Sequence, residues 1–128
     1  MYRIEFYEDR RGKCELMDYL EKLRLQSGTS KTARIEYNQI SLYIDLLAKY
    51  GTMLSQNITK HLEGPIWELR PGNNRVLYFS VEGNTFVLLH HFRKKSQKTP
   101  RKELERAKAE RDDYLSRQNR EKKGAEGS

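Results

Sequence analysis

Residues 88–102 read LLHHFRKKSQKTPRK, a short apolar run followed by two histidines and six bases with no acid among them. The bases are Arg93, Lys94, Lys95, Lys98, Arg101 and Lys102. They hold nearly all of the formal net charge of +7, because residues 1–92 carry twelve bases against eleven acids and residues 103–128 carry seven against seven. Upstream, Arg70 ends one apolar segment and Arg75 opens the next, so the turn between them should bring two guanidinium groups to one rim. Guanidinium forks match the oxygens of a phosphate, and a histidine can give or take a proton near neutrality. Such a set could cleave RNA through its own 2′-hydroxyl. That reaction needs a base for the 2′-proton, cations for the charge growing on the phosphate, and an acid for the departing 5′-oxygen. Arg75, His90, His91, Lys94 and Lys95 are the candidate catalytic residues, with either histidine as base or acid. Arg70, Arg93, Lys98, Arg101 and Lys102 form the wider RNA-binding set. Glu68 is a further base candidate, or simply the partner of Arg70.

Blander readings compete with each of these. A lysine run can be a solubilising surface, and either histidine can be a hydrogen-bonded core residue. No Ser-His-Asp or Cys-His pattern offers other nucleophilic chemistry. Three histidines without HxH or HxxxH spacing, and Cys14 as the one cysteine, argue against a metal site and exclude an internal disulfide. No cofactor is expected.

The elements that must position these groups follow from periodicity. Tyr2, Ile4 and Phe6 alternate with polar residues, which predicts a half-buried strand. Leu16, Leu20 and Leu23 fall at helical spacing within 13–26, a helix in which Cys14 is an ordinary member, and Ser27-Gly28 is its stop. Ser30 can cap a second helix whose apolar residues Ala33, Tyr37, Ile40, Ile44 and Leu47 run to a stop at Tyr50-Gly51. Residues 58–62 read as a short strand or an irregular segment. Residues 66–70, 75–81 and 86–92 read as strands, joined by turns at Pro71-Gly72-Asn73-Asn74 and Glu82-Gly83-Asn84-Thr85. Alternation sends His90 and His91 to opposite faces, one toward the helices and one toward the open surface. Thr99 as N-cap and Pro100 at the first helical position start a last helix with a thin apolar face, Leu104, Ala107 and Leu115. Basic residues crowded against a helix N-terminus favour a bound anion there.

The order strand, two helices, three strands, helix predicts an α+β fold. The expected form is a small antiparallel sheet, with a helical hairpin on one face and the C-terminal helix lying lightly on it or awaiting a partner. At 128 residues the chain makes one domain, taken as 1–115, with 116–128 a fraying and then disordered tail. No apolar run reaches the roughly 18 to 20 residues of a membrane span, and MYRIEFYEDRR has no signal-peptide core, so the expected location is cytoplasmic. A pI near 9.5 points to a polyanionic partner.

WELRPGNNRVLYF, followed closely by LLHHFRKKSQKTP, resembles the HigB-like, phage-derived branch of the RelE/ParE toxin superfamily of bacterial type II toxin–antitoxin systems. The resemblance covers Tyr2 to about Leu115. It implies a RelE-like fold and a metal-independent endoribonuclease that cleaves mRNA on the ribosome and so inhibits translation. It further implies a helix-turn-helix, HigA-like antitoxin as partner, which links the toxin indirectly to operator DNA. Arg75 matches the family's phosphate-contacting arginine, Lys94, Lys95 and Lys98 its lysine motif, and His90 the histidine of that motif. The chain departs from other ribonuclease relatives at Ile66 and Glu68, where they carry lysines. It departs again at His91 and Phe92, where several carry a tyrosine or an acid. Two further functions stay open: a toxin that binds DNA gyrase without catalysis, and a nucleic-acid-binding module that has lost activity.

Overall fold

A computed structural model describes the backbone of residues 1–126 and the side chains of residues 1–121. Its elements are β1 (Arg3–Phe6), α1 (Glu15–Gln26), α2 (Lys31–Tyr50), a 3-10 turn (Gly51–Met53), β2 (Thr59–Glu63), β3 (Ile66–Leu69), β4 (Asn74–Val81), β5 (Thr85–Arg93) and α3 (Arg101–Glu126). The strands form one sheet in the order β1-β5-β4-β3-β2. The fold is α+β, as the element order implies, with two differences in the sheet. Residues 59–63 do form a strand, which makes five, and β1 runs parallel to β5, so the sheet is mixed and not purely antiparallel.

Local chemistry sets the helix ends. The Ser30 hydroxyl accepts the Ala33 amide at 3.1 Å, so α2 starts where its cap predicts. Cys14 lies just outside α1, not within it, and its thiol takes the capping position, accepting the Met17 amide at 3.4 Å. Gly51 ends α2 at a φ of +62°, and a Cβ there would stand 2.7 Å from the Tyr2 ring, so glycine suits both the turn and the seating of that side chain.

The layers differ from the expected one-sided packing. Val76, Tyr78 and Leu88 pack with Leu16 of α1 and Leu47 of α2 on one face. Leu77, Phe79, Val87 and Leu89 pack with Leu104 and Ala107 of α3 on the other. The reason is in β4 and β5, whose side chains are apolar on both faces, and a sheet apolar on both faces needs cover on both. Because the apolar seam of α3 is narrow, polar contacts complete its attachment. Tyr7 Oη donates to Asp113 at 2.8 Å, Tyr114 Oη to Glu5 at 2.5 Å, Arg106 Nη2 to Glu15 at 2.7 Å, and Arg101 forks onto Glu63 at 2.7 and 3.0 Å.

The helix α3 continues past Ser116, where fraying was expected, to Glu126. Arg117 pairs with Asp113 one turn back at 2.9 Å, bonds the Glu8 carbonyl and lies over the Tyr7 ring. Charged helix formers stay helical where such pairs tie them down, even without apolar burial. Residues 127 and 128 of the expected tail lie outside the described residues. No described helix is long and apolar enough to cross a membrane.

Burial first, and then the acceptors Asp113 and Glu5, push Tyr7 and Tyr114 up to about 12, and burial does the same to Tyr78. A folded-state pKa raised above the usual value near 10 stabilises the fold fully below pH 10, and that contribution is lost as pH rises through 12. An ultraviolet difference titration of the eight tyrosines is expected to show at least three ionising late, together with unfolding in that window. Eight tyrosines titrating together near 10 would contradict the packing of α3.

Candidate nucleic-acid site

The ends of β3, β4 and β5 meet the start of α3 at one corner of the sheet. Glu68 stands opposite Leu77, and Arg75 opposite Phe92, so alternation places Glu68, Arg75 and Phe92 on the α3 side. Residues 94–100 cross in front of them, held by the Lys94 amide on the Asn73 carbonyl at 2.7 Å. A narrow cleft results, with Glu68, Arg75 and Phe92 behind, Lys94, Lys95 and Lys98 on the loop, and Thr99-Pro100 as its wall.

Each group in the cleft has a defined partner or a defined freedom. Glu68 is 3% exposed and receives the Thr99 hydroxyl at 2.6 Å. Its other neighbours are Arg70 Nε at 3.7 Å and Arg75 Nε at 4.0 Å. The two guanidinium groups do converge, as the turn implies, and Glu68 is the charge between them. Arg75 is only 6% exposed, and its Nη1 donates to the carbonyls of Gly72 and Asn74, both at 2.8 Å. Burial is the largest influence on this guanidinium and pulls its pKa down, against the pull of Glu68. Arg75 therefore braces the 71–74 turn besides facing the cleft. Arg70 is likewise engaged, with Nη1 on the Gln56 carbonyl at 2.9 Å. Thr99 is not the helix cap: its hydroxyl goes to Glu68, and Pro100 stands just before α3, not at its first position, its carbonyl accepting the Glu103 and Leu104 amides at 3.0 and 3.3 Å.

Neither histidine lines the cleft. A bulge at Leu89, where Leu77 pairs with His90 but Tyr78 with Leu88, turns His90 under α3. There it is 1% exposed, with Nδ1 2.5 Å from Glu110 and Nε2 3.3 Å from Glu103. His91 points the other way, as alternation implies, and is half-buried against α1. It stacks on Tyr19 at 4.4 Å between centroids, and burial lowers its pKa. Its Nδ1 is buried without a hydrogen-bond partner. Burial takes His90 out of reach of a substrate, and His91 lies outside the cleft lining on the other face of the sheet. If the cleft serves RNA cleavage, His91→Phe, which keeps the stack and removes both ring nitrogens, is expected to leave the single-turnover rate within about threefold of the parent. A loss of about a hundredfold, the scale of general acid–base catalysis, would restore His91 to the site.

The six-base run also divides. Arg93 turns to the α2 side and meets Glu36 at 3.2 Å, while Arg101 is held by Glu63 and by Glu105 at 2.8 Å. Lys102 is exposed on the first turn of α3, beside the cleft but not in its lining. The charge left to a ligand is that of Lys94, Lys95 and Lys98, none of which has a carboxylate partner among the described residues. Sequence reasoning missed Thr99 and Phe92 as members of the cleft. The alternation of β5 against Arg75 would have placed Phe92, whereas the Thr99–Glu68 bond spans 31 residues and left no local signal. Among the described residues no cluster of His, Cys, Asp and Glu suited to a metal ion occurs.

A family model described as "Phage derived protein Gp49-like (DUF891)" matches residues 29–112, which include every cleft residue. No curated protein matches the chain. Among solved structures it is similar to the crystal structure of an archaeal RelE–RelB complex from Pyrococcus horikoshii OT3. That similarity is at 17% identity and a TM-score of 0.49, over 73% of this chain and 96% of that one.

Proposed function

The chain belongs to the Gp49-like family of phage-derived proteins, and from that premise we propose that it is the toxin of a type II toxin–antitoxin pair, a HigB-like endoribonuclease that cuts mRNA on the ribosome. The observation that carries this reading is the corner where Lys94, Lys95 and Lys98 surround Arg75 and Glu68. Three ammonium groups without acidic partners, beside a helix start, are an arrangement that attracts a phosphate.

In this reading the reaction needs no metal. The lysines and the Arg75 fork stabilise the charge that grows on the phosphate during 2′-hydroxyl attack. With both histidines turned away, Glu68 is the one carboxylate lining the cleft. It takes the 2′-proton when substrate displaces the Thr99 hydroxyl, and a lysine ammonium protonates the 5′-oxygen. The working place is the cytoplasm, where ribosomes and mRNA are. The partner that silences the toxin is a HigA-like helix-turn-helix antitoxin, which joins it indirectly to operator DNA.

Induced expression in a bacterial host is the test in cells. Growth should stop and message half-lives should fall while DNA supercoiling stays unchanged. Growth arrest with stable messages and altered supercoiling would replace this reading with that of a gyrase-binding toxin.

A further inference from the structure

Behind the lysine cleft, on the α2 side of the same sheet corner, lies a second recess of about 210 Å³. Its lining includes Ile35, Glu36 and Gln39 of α2, with Asn73, Asn74 and Arg93 from the strand ends. Strand alternation explains the placement. Asn74 and Arg93 are register partners facing α2, while their neighbours Arg75 and Lys94 serve the cleft.

The recess differs from the cleft in charge and in what it can bind. Glu36 Oε1 alone takes three donors, the Tyr19 hydroxyl, Asn74 Nδ2 at 2.9 Å and Arg93 Nη1 at 3.2 Å. Among the described residues no hydrogen bond or ion pair reaches its Oε2. Burial opposes ionisation, but the Tyr19 and Asn74 bonds and the Arg93 charge outweigh it and hold the carboxyl below its usual range. Asn74 is 3% exposed, and its Oδ1 is buried with no partner. Gln39 is packed against Gly72 so closely that a Cβ on that glycine would lie 2.5 Å from the amide oxygen. Ile35, 55% exposed, supplies an apolar wall. A carboxylate repels a second phosphate here. Acceptors set beside an apolar wall and a guanidinium plane suit the face and amino edge of a nucleobase, since carboxylates and amides accept from exocyclic amino groups and arginine planes stack on bases.

Resting on the RNA reading above, we infer that this recess is a base-reading subsite. It takes an unstacked base that carries an exocyclic amino group, adjacent to the phosphate held by the lysines across the rim. Uracil, which has no exocyclic amino group, is selected against.

The test is titration of the isotope-labelled full chain with AMP, CMP, GMP and UMP, followed by NMR. The three amino-bearing nucleotides are expected to shift the side-chain amides of Asn74 and Gln39, and UMP only the backbone of residues 94–98. Glu36→Gln should reduce the preference over UMP by roughly tenfold. If that variant misfolds, Ile35→Ala, at an exposed position, should weaken the three amino-bearing nucleotides relative to UMP. Asn74 and Gln39 signals unmoved by every nucleotide, or moved equally by all four, would overturn the inference even if the protein cleaves RNA. Discrimination in a protein that cuts no RNA would keep the subsite and remove the nuclease reading.

Discussion

Lys94→Ala combined with Lys95→Ala is expected to abolish growth arrest while leaving the melting temperature nearly unchanged. Both ammonium groups stand on a loop without a carboxylate partner, so the folded state loses no ion pair with them. What disappears is attraction for phosphate. Each lost contact to single-stranded RNA reduces the slope of log affinity against log salt by about 0.7, so the double variant should flatten it by about 1.4. A filter-binding salt series on RNA and on ribosomes measures this directly. An unchanged slope would mean that the run only solubilises the surface. The comparison is clean because Arg101, tied to Glu63 and Glu105, serves as a control. Neutralising it should change the salt dependence less than the lysine pair does.

His90→Ala is expected to be strongly destabilising. His90 Nδ1 shares a hydrogen bond with Glu110 at 2.5 Å, while its Nε2 lies 3.3 Å from Glu103 without bonding it, beneath a helix whose apolar seam is narrow. Removing it leaves two largely covered carboxylates facing one another, with Arg106 at 3.4 Å from Glu110 as the nearest remaining cation. Stranding a buried carboxylate without its hydrogen-bond partner, and opening a cavity where the ring stood, together cost on the order of 3 kcal/mol or more. For a chain of this size that lowers the melting temperature by roughly 10 °C or more. Replacing His90, Glu103 and Glu110 together by leucine should recover most of the loss, because an apolar set strands no charge. Failure of that rescue, read by thermal denaturation, would show that the loss came from the cavity and not from the carboxylates.

Much of the architecture was legible from periodicity. The two hairpin helices, the 71–74 and 82–85 turns and the three C-terminal strands all carry local signals, since caps, glycines and alternating apolar residues act over a few positions. The partners of α3 were not legible. Its sequence is nearly all charge, and what holds it is a set of polar contacts to Glu5, Tyr7, Glu15, Glu63 and His90, each contributed by a distant segment. The site was legible in part for the same reason. Arg75 with Lys94, Lys95 and Lys98 follows from one turn and one loop. The surroundings of the histidines were not legible, because a bulge at Leu89 interrupts β5 and because helices pack on both faces there. Glu68 was visible as a candidate, but only the fold encloses it between Arg70, Arg75 and Thr99.

Primer extension on a defined message in a purified translation system, with and without ribosomes, tests the central reading most directly. The expected result is cuts that appear only with ribosomes present and vanish in the Lys94→Ala, Lys95→Ala variant. A folded, growth-arresting parent chain that leaves the message intact in both conditions would contradict it.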